Sequence, residues 1–391
     1  MPATRTHPDR SAVEELVSTA WCRSLDVEHV GLDERLGELL ARSPDPGAVR
    51  ETLRLALEAD FGTPVPRDDV HAESTVASLA AVVEDAVGRP GTTGFVRLQR
   101  GDGSLPFFSV CSIAGTVFNH LELARALGSA QTFHGLQALD LRERLGREPG
   151  LVDYAASYVE GILERAPQGD VVVGGHSFGA VVAYEVARQL AEVGRPPALL
   201  YLIDTAPPNQ DRATAWERTQ GLLQFTRGLA YLPGEFLDRG RKDAGLLARE
   251  VKKRLAWKAK VVGRRALNLV DPKNSASRPT RQQDASLTPD EFLEMAHWPE
   301  RHRAIARAHY RAIQGYRTPS YPGRATLFRV QRHKLSYPRS GAYGWEKYVQ
   351  GGLEVVRLPG GHMSLLETPN VEVLARHLRQ RVEALGGSGP D

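Results

Sequence analysis

As far as Val87 the apolar residues recur at helical spacing; beyond it they gather in short runs bounded by Gly, Pro or polar residues. Val13, Leu16, Val17, Ala20 and Trp21 predict a helix over Ser11–Leu25. Val49, Leu53, Leu57 and Phe61 predict a second over Val49–Phe61, closed by Gly62 and by Pro64 and Pro66. Ser74-Thr75 opens a third, with Val76, Leu79, Val82, Val83 and Val87 as its apolar stripe. Ser43 before Pro44 reads as an N-cap with proline at the first helical position. The glycine-rich stretch Gly88–Gly94 has no periodicity and separates a small all-α domain, residues 1–88, from a second domain, residues 95–387.

In the second part Pro106–Val110, Val171–Val173, Leu199–Ile203, Ala325–Val330 and Leu353–Arg357 are predicted strands. Amphipathic stretches at 118–127, 151–165 and 180–193 lie between them, and a helix is expected over Asn370–Leu385. Strand–helix alternation implies an α/β fold with a parallel sheet covered by helices on both faces. From about residue 209 to 300 the strand signal gives way to basic, helical sequence, which reads as a helical insertion in the sheet domain.

Composition narrows the class. No apolar run approaches the roughly 20 residues a membrane-spanning helix needs, and the N-terminus has no apolar core of a secretory signal. The only cysteines, Cys22 and Cys111, are too few for a disulfide framework or a cysteine zinc site, so a reducing, cytoplasmic setting is expected. The net charge of +3 hides an asymmetry: residues 1–90 carry 9 Arg and no Lys against 17 Asp and Glu. Between Arg239 and Arg265, 11 Lys and Arg face only Asp243 and Glu250. No nucleic-acid-binding module surrounds that basic stretch, so an acidic partner fits it better than a nucleic acid.

The candidate chemistry lies at strand ends. Gly175-His-Ser-Phe-Gly179 follows a β-branched run and opens a helix-forming one. Gly-x-Ser-x-Gly alone says little in a chain with 37 glycines; between a strand and a helix it describes a sharp turn that presents Ser177 as a nucleophile. A serine hydroxyl needs a base, and the base an orienting carboxylate, in the chain order Ser, acid, His. Asp204 ends the next strand, and His362 follows the last one in a Pro-Gly-Gly loop. His176 is expected to pack beside the turn rather than act as base. Oxyanion donors are expected from the backbone N–H groups of Phe178, after the nucleophile, and of Ile113, in the loop after the first predicted strand. Cys111 in that loop lacks a partner pattern and reads as a small buried side chain.

Gly174-Gly-His-Ser-Phe-Gly-Ala-Val-Val-Ala-Tyr-Glu185, Ile203-Asp-Thr-Ala-Pro-Pro208, residues 321–329 and Pro359-Gly-Gly-His-Met-Ser-Leu-Leu-Glu367 resemble the terminal thioesterase domains of polyketide and nonribosomal peptide synthases. The resemblance runs over about 95–385. It implies an α/β-hydrolase fold with a helical lid, and an acyl-enzyme on Ser177 taken from a carrier's phosphopantetheine thioester. Release would follow by hydrolysis or cyclisation; the alternatives are an acyltransferase passing the chain to another carrier, an amine or an alcohol, and a non-catalytic scaffold for synthase components. No metal or cofactor is expected on this chain. Cys111-Ser-Ile-Ala-Gly115 departs from the His-Pro-Gly-Gly-like run of many relatives.

Trp21-Cys-Arg-Ser-Leu25, Val30-Gly-Leu-Asp33 and Phe61-Gly-Thr-Pro-Val-Pro66 resemble a carrier domain. Its phosphopantetheine serine would fall at Ser43, which follows Arg42 rather than sitting in an Asp-Ser-Leu context, so a carrier-like module that is not loaded is expected. The basic insertion then becomes either a solvated helical face or a dock for an acyl- or peptidyl-carrier protein, at Arg249, Lys252, Lys253 and Lys258. Trp257, Trp298, Tyr343 and Trp345 either line an acyl pocket or belong to the core.

Overall fold

The computed structural model describes residues 12–41, 43–85, 94–101, 105–208, 300–332 and 341–386. The predicted boundary stretch and insertion therefore lie almost wholly outside the described residues.

Among the described residues four helices come first: α1 (Ala12–Leu25), α2 (Leu36–Leu40), α3 (Pro46–Phe61) and α4 (Val76–Asp85). Their apolar stripes converge, with Val17, Ala20 and Trp21 packed among Leu53, Leu57 and Phe61 of α3 and Val76, Leu79 and Val83 of α4, all buried. The start of α3 corrects the expectation for Ser43. Asp45 is the N-cap, its carboxylate accepting the Ala48 N–H at 2.9 Å, and Pro46 opens the helix. The same cap-plus-proline pattern recurs two residues on, and there the capping group is an anion at the positive end of the helix. Ser43 Oγ instead accepts the Asp45 N–H at 3.2 Å, just ahead of the cap.

A seven-stranded sheet follows: β1 (Phe95–Gln99), β2 (Phe107–Val110), β3 (Phe133–Leu136), β4 (Val172–His176), β5 (Leu199–Ile203), β6 (Ala325–Arg332) and β7 (Leu353–Gly361), in the order β1-β3-β2-β4-β5-β6-β7. The strands from β3 to β7 in that order pair in parallel, as expected. β1 departs from the expectation and lies antiparallel to β3 at the edge. Every residue of β2 and β4 is buried, which requires cover on both faces at the centre of the sheet. Among the described residues six helices accompany the sheet: α5 (Leu121–Leu127), α6 (Arg142–Leu145), α7 (Leu151–Arg165), α8 (Phe178–Glu192), α9 (Glu300–Gly315) and α10 (Asn370–Gly386). α7 packs on α8, and α5 on α10.

The described helices at the N-terminus and the sheet share one compact unit, with α3 against β1. Asp60 of α3, only 8% exposed, pairs with Arg23 at 2.7 Å and reaches Arg100 at 2.8 Å and Arg97 of β1 at 3.5 Å. Beside it, the Phe61 ring lies 6.0 Å from that of Phe118.

Candidate active site

β4 ends at His176, and the chain turns at once into α8 through Ser177, whose φ of 57° and ψ of −118° are strained for a residue with a side chain. The flanking glycines make the turn possible by close approach. A Cβ on Gly175 would lie 2.5 Å from the Gly179 carbonyl carbon, and one on Gly179 would lie 2.3 Å from the Val110 oxygen. The Ser177 N–H donates to Ile203 O of β5 at 3.0 Å, tying the turn to the neighbouring strand. Ser177 is only half-buried, whereas nearly everything around it is buried.

Asp204 follows β5 directly, also at positive φ (46°), with its N–H donating to Phe328 O at 2.7 Å. His362 follows β7. Parallel strands thus bring Ser177, Asp204 and His362 to one edge of the sheet from positions 158 and 185 residues apart. His362 Nδ1 lies 2.8 Å from Asp204 Oδ2, and Nε2 lies 3.1 Å from Ser177 Oγ. With Nδ1–H donating to the carboxylate, Nε2 is left as the acceptor for the serine hydroxyl. The His176 ring packs against that of His362, centroids 4.6 Å apart, beside the turn as the sequence suggested.

The second carboxylate oxygen is also engaged. Asp204 Oδ1 accepts the Val330 N–H at 3.1 Å and the Tyr343 hydroxyl at 3.0 Å. Burial alone would push this carboxyl up. The His362 hydrogen bond and its charge, with the Val330 and Tyr343 donors, outweigh burial and hold it below the usual aspartate value. Tyr343 and Trp345 are fully buried, and both hydrogen-bond to the acid loop. Trp345 Nε1 donates to Thr205 O at 2.8 Å, and the Arg329 guanidinium lies 4.5 Å from the Tyr343 ring centroid. Nothing in the local sequence around Tyr343 marks it as a partner of Asp204, which lies 139 residues earlier.

Phe178 is the first residue of α8, where a helix leaves its leading N–H groups without partners inside the helix and presents its positive end. Ile113 lies in the turn after β2, which is closed by the Gly115 N–H donating to Ser112 O at 2.9 Å. Cys111 is fully buried, and burial pushes its thiol up to about 12, so it stays protonated and unreactive at neutral pH. Arg249, Lys252, Lys253, Lys258, Trp257 and Trp298 lie outside the described residues. Among the described residues no three His, Cys, Asp or Glu side chains are grouped to hold a metal ion, and no helix is long and apolar enough to cross a membrane.

The thioesterase domain family matches residues 108–382. Over 385 residues the chain is 23% identical to the chondramide synthase of Chondromyces crocatus, covering 96% of this chain and 9% of that protein. It is 22% identical to the atromentin synthetase of Tapinella panuoides, covering 84% of this chain and 33% of that one. A crystal structure of a holo four-domain nonribosomal peptide synthetase bound to AMP and glycine shares the fold over 97% of this chain and 27% of its own length, with a TM-score of 0.58 and 23% identity. The chain thus spans at most about a third of the length of these relatives.

Proposed function

Because the chain belongs to the thioesterase domain family of α/β-hydrolases, we propose that it releases an acyl or peptidyl chain from a carrier-protein thioester through an acyl-enzyme on Ser177. The supporting observation is the continuous path from Ser177 Oγ through His362 to Asp204, at 3.1 and 2.8 Å. His362 Nε2 takes the hydroxyl proton as Oγ attacks the thioester carbonyl, and Asp204 steadies the imidazolium. The tetrahedral oxyanion is met by the N–H groups of Phe178 and Ile113. Collapse breaks the carbon–sulfur bond, and the carrier thiol leaves with the proton from His362. A second nucleophile, water or a hydroxyl of the bound chain, then loses its proton to His362 as it attacks the acyl carbon, and Ser177 Oγ leaves with that proton, completing hydrolysis or cyclisation. If the second nucleophile belongs to another carrier, an amine or a separate alcohol, the same acyl-enzyme makes the chain an acyltransferase.

The substrate arrives on the phosphopantetheine of a separate carrier protein, since Ser43 lies outside the sequence context that is loaded, and the chain itself uses no metal or cofactor. The likeness to synthase proteins supports a carrier as partner. A fluorophosphonate should label Ser177, and Ser177→Ala should lose about 10⁶ in kcat. Product analysis with a loaded carrier separates hydrolysis, cyclisation and transfer. Labelling at another residue, or turnover by Ser177→Ala above a few per cent of wild type, overturns the assignment; a fully inert wild-type chain leaves the scaffold reading.

A further inference from the structure

α9 touches the oxyanion loop at two points one helical turn apart. Ile305 and His309 stand at i and i+4, on one face of the helix. Ile305 fills the space over Gly115, where a Cβ would come within 2.7 Å of its Cγ2. His309 Nδ1 lies 3.0 Å from Ile113 O. A carbonyl can only accept, so Nδ1 carries the hydrogen and donates it. The same imidazole lies flat on the Phe178 ring, centroids 4.5 Å apart and planes at 14°. Tyr154 closes it in edge-on at 5.1 Å, leaving His309 only 2% exposed.

We propose that His309 is a positioning residue of the oxyanion site, gripping the backbone of Ile113 through Nδ1 and the side chain of Phe178 through its ring face. The inference rests on Phe178 and Ile113 being the oxyanion donors of a Ser177 acyl transfer. These donors come from different elements, the β2 loop and the start of α8, and their separation must be held to a fraction of an ångström for both to meet one oxygen. One rigid ring that both stacks and donates sets that separation. Burial pulls His309 down to about 4, so at neutral pH it acts through geometry rather than charge. Phenylalanine could supply the stack without the hydrogen bond. Asparagine could supply the hydrogen bond from near the Nδ1 position without the stack.

The test uses the full chain with a small soluble acyl thioester and His309→Phe, His309→Asn and His309→Ala. Fluorophosphonate labelling taken to completion counts intact sites, so kcat is expressed per labelled Ser177. His309→Phe should lower that kcat by about 10²-fold, within the range lost when an oxyanion donor is removed, with KM changed less than about threefold. Binding of a trifluoromethyl ketone, whose serine adduct carries an oxyanion, should weaken by the same factor. His309→Asn should recover at least about tenfold over His309→Ala. A merely structural role would reduce the labelled fraction and leave kcat per site and ketone affinity untouched. That result, or no advantage of Asn over Ala, overturns the inference. Failure of wild-type Ser177 to label would show in the parent chain, and would sink the acyl-enzyme reading instead.

Discussion

Tyr343 gives its hydroxyl to Asp204 Oδ1 at 3.0 Å from a backbone turned to a φ of 56°, while Asp204 itself sits at 46°. Two fully buried residues in left-handed conformations therefore meet, and a buried polar group left unmet is costly. The carboxylate is thereby fixed in the one orientation that leaves Oδ2 to His362. Asp204→Asn should keep the fold but lose about 10⁴ in kcat, because an amide stabilises the wrong imidazole tautomer. Tyr343→Phe should cost about 1–3 kcal/mol of stability yet keep most of the turnover, since the Oδ2 contact survives. Denaturant unfolding beside steady-state kinetics checks both; an Asp204→Asn protein of normal activity would mean that another carboxylate orients His362.

Acid should weaken the fold well before the carboxylates titrate. Burial holds His120, His134 and His309 down to about 4 against an ordinary value of 6.5. The unfolded chain binds these protons near 6.5 and the native chain only near 4, so stability falls as pH drops through that window and levels off below it. Each group contributes up to about 1.4 kcal/mol per pH unit there. Neither ring nitrogen of His120 has a hydrogen-bond partner, which makes it the cleanest group to remove. His120→Phe should flatten the slope of unfolding free energy between pH 6.5 and 4 by one proton's worth. An unchanged slope would show that His120 is not held neutral.

Asp60→Asn should loosen the helices at the N-terminus. It removes the anion shared by Arg23, Arg97 and Arg100, whose side chains are 39%, 30% and 52% exposed. These guanidinium groups can rehydrate, so the loss should fall short of the about 3–5 kcal/mol of a fully buried pair. Hydrogen exchange should quicken in α1 and α3 with β4 unaffected; uniform quickening through β4 would contradict a local role.

Incubation with coenzyme A and a broad-specificity phosphopantetheinyl transferase should leave the intact mass unchanged. Ser43 sits between Arg42 and Pro44, and its Oγ is taken up by the Asp45 N–H. A shift of one phosphopantetheine mapped to Ser43 would make loading in cis possible.

Reversing Arg249, Lys252, Lys253 and Lys258 together should raise KM for a carrier-bound substrate and leave a small soluble thioester unaffected. Exposed pairs contribute only about 0.2–1 kcal/mol each, so single reversals should do little. Added salt should mimic the effect in wild type, because the Debye length is about 10 Å at 0.1 M. Equal KM values for the carrier substrate would leave the basic stretch as a solvated face.

The parts of this molecule legible in its sequence are those whose cause is local. β5 and α7 begin and end where their apolar patterns do. Ser177, Asp204 and His362 each follow a predicted strand, and parallel strands carry their ends to one edge. β1 and β3 were not legible: Arg97 and Gln99 interrupt the first, and Phe-His-Gly-Leu of the second holds a histidine and a glycine. Their strand state comes from pairing, which short-range pattern does not contain. Tyr343 and His309 were hidden for the same reason, since only folding brings them to Asp204 and Ile113. The cap at Asp45 was a contest between two adjacent local signals, decided in favour of the charged one.

Among the described strands β1 has a hydrogen-bonding neighbour on one side only, and α3 lies against it. An uncovered strand edge is a template for other chains, so the helices at the N-terminus should also guard against self-association. A protein cut just before Gly94 to isolate the sheet would lose that guard together with the Asp60 partner of Arg97 and Arg100. Its fate should be aggregation through β1, and any kinetic comparison with the full chain would then measure loss of solubility before it measured catalysis.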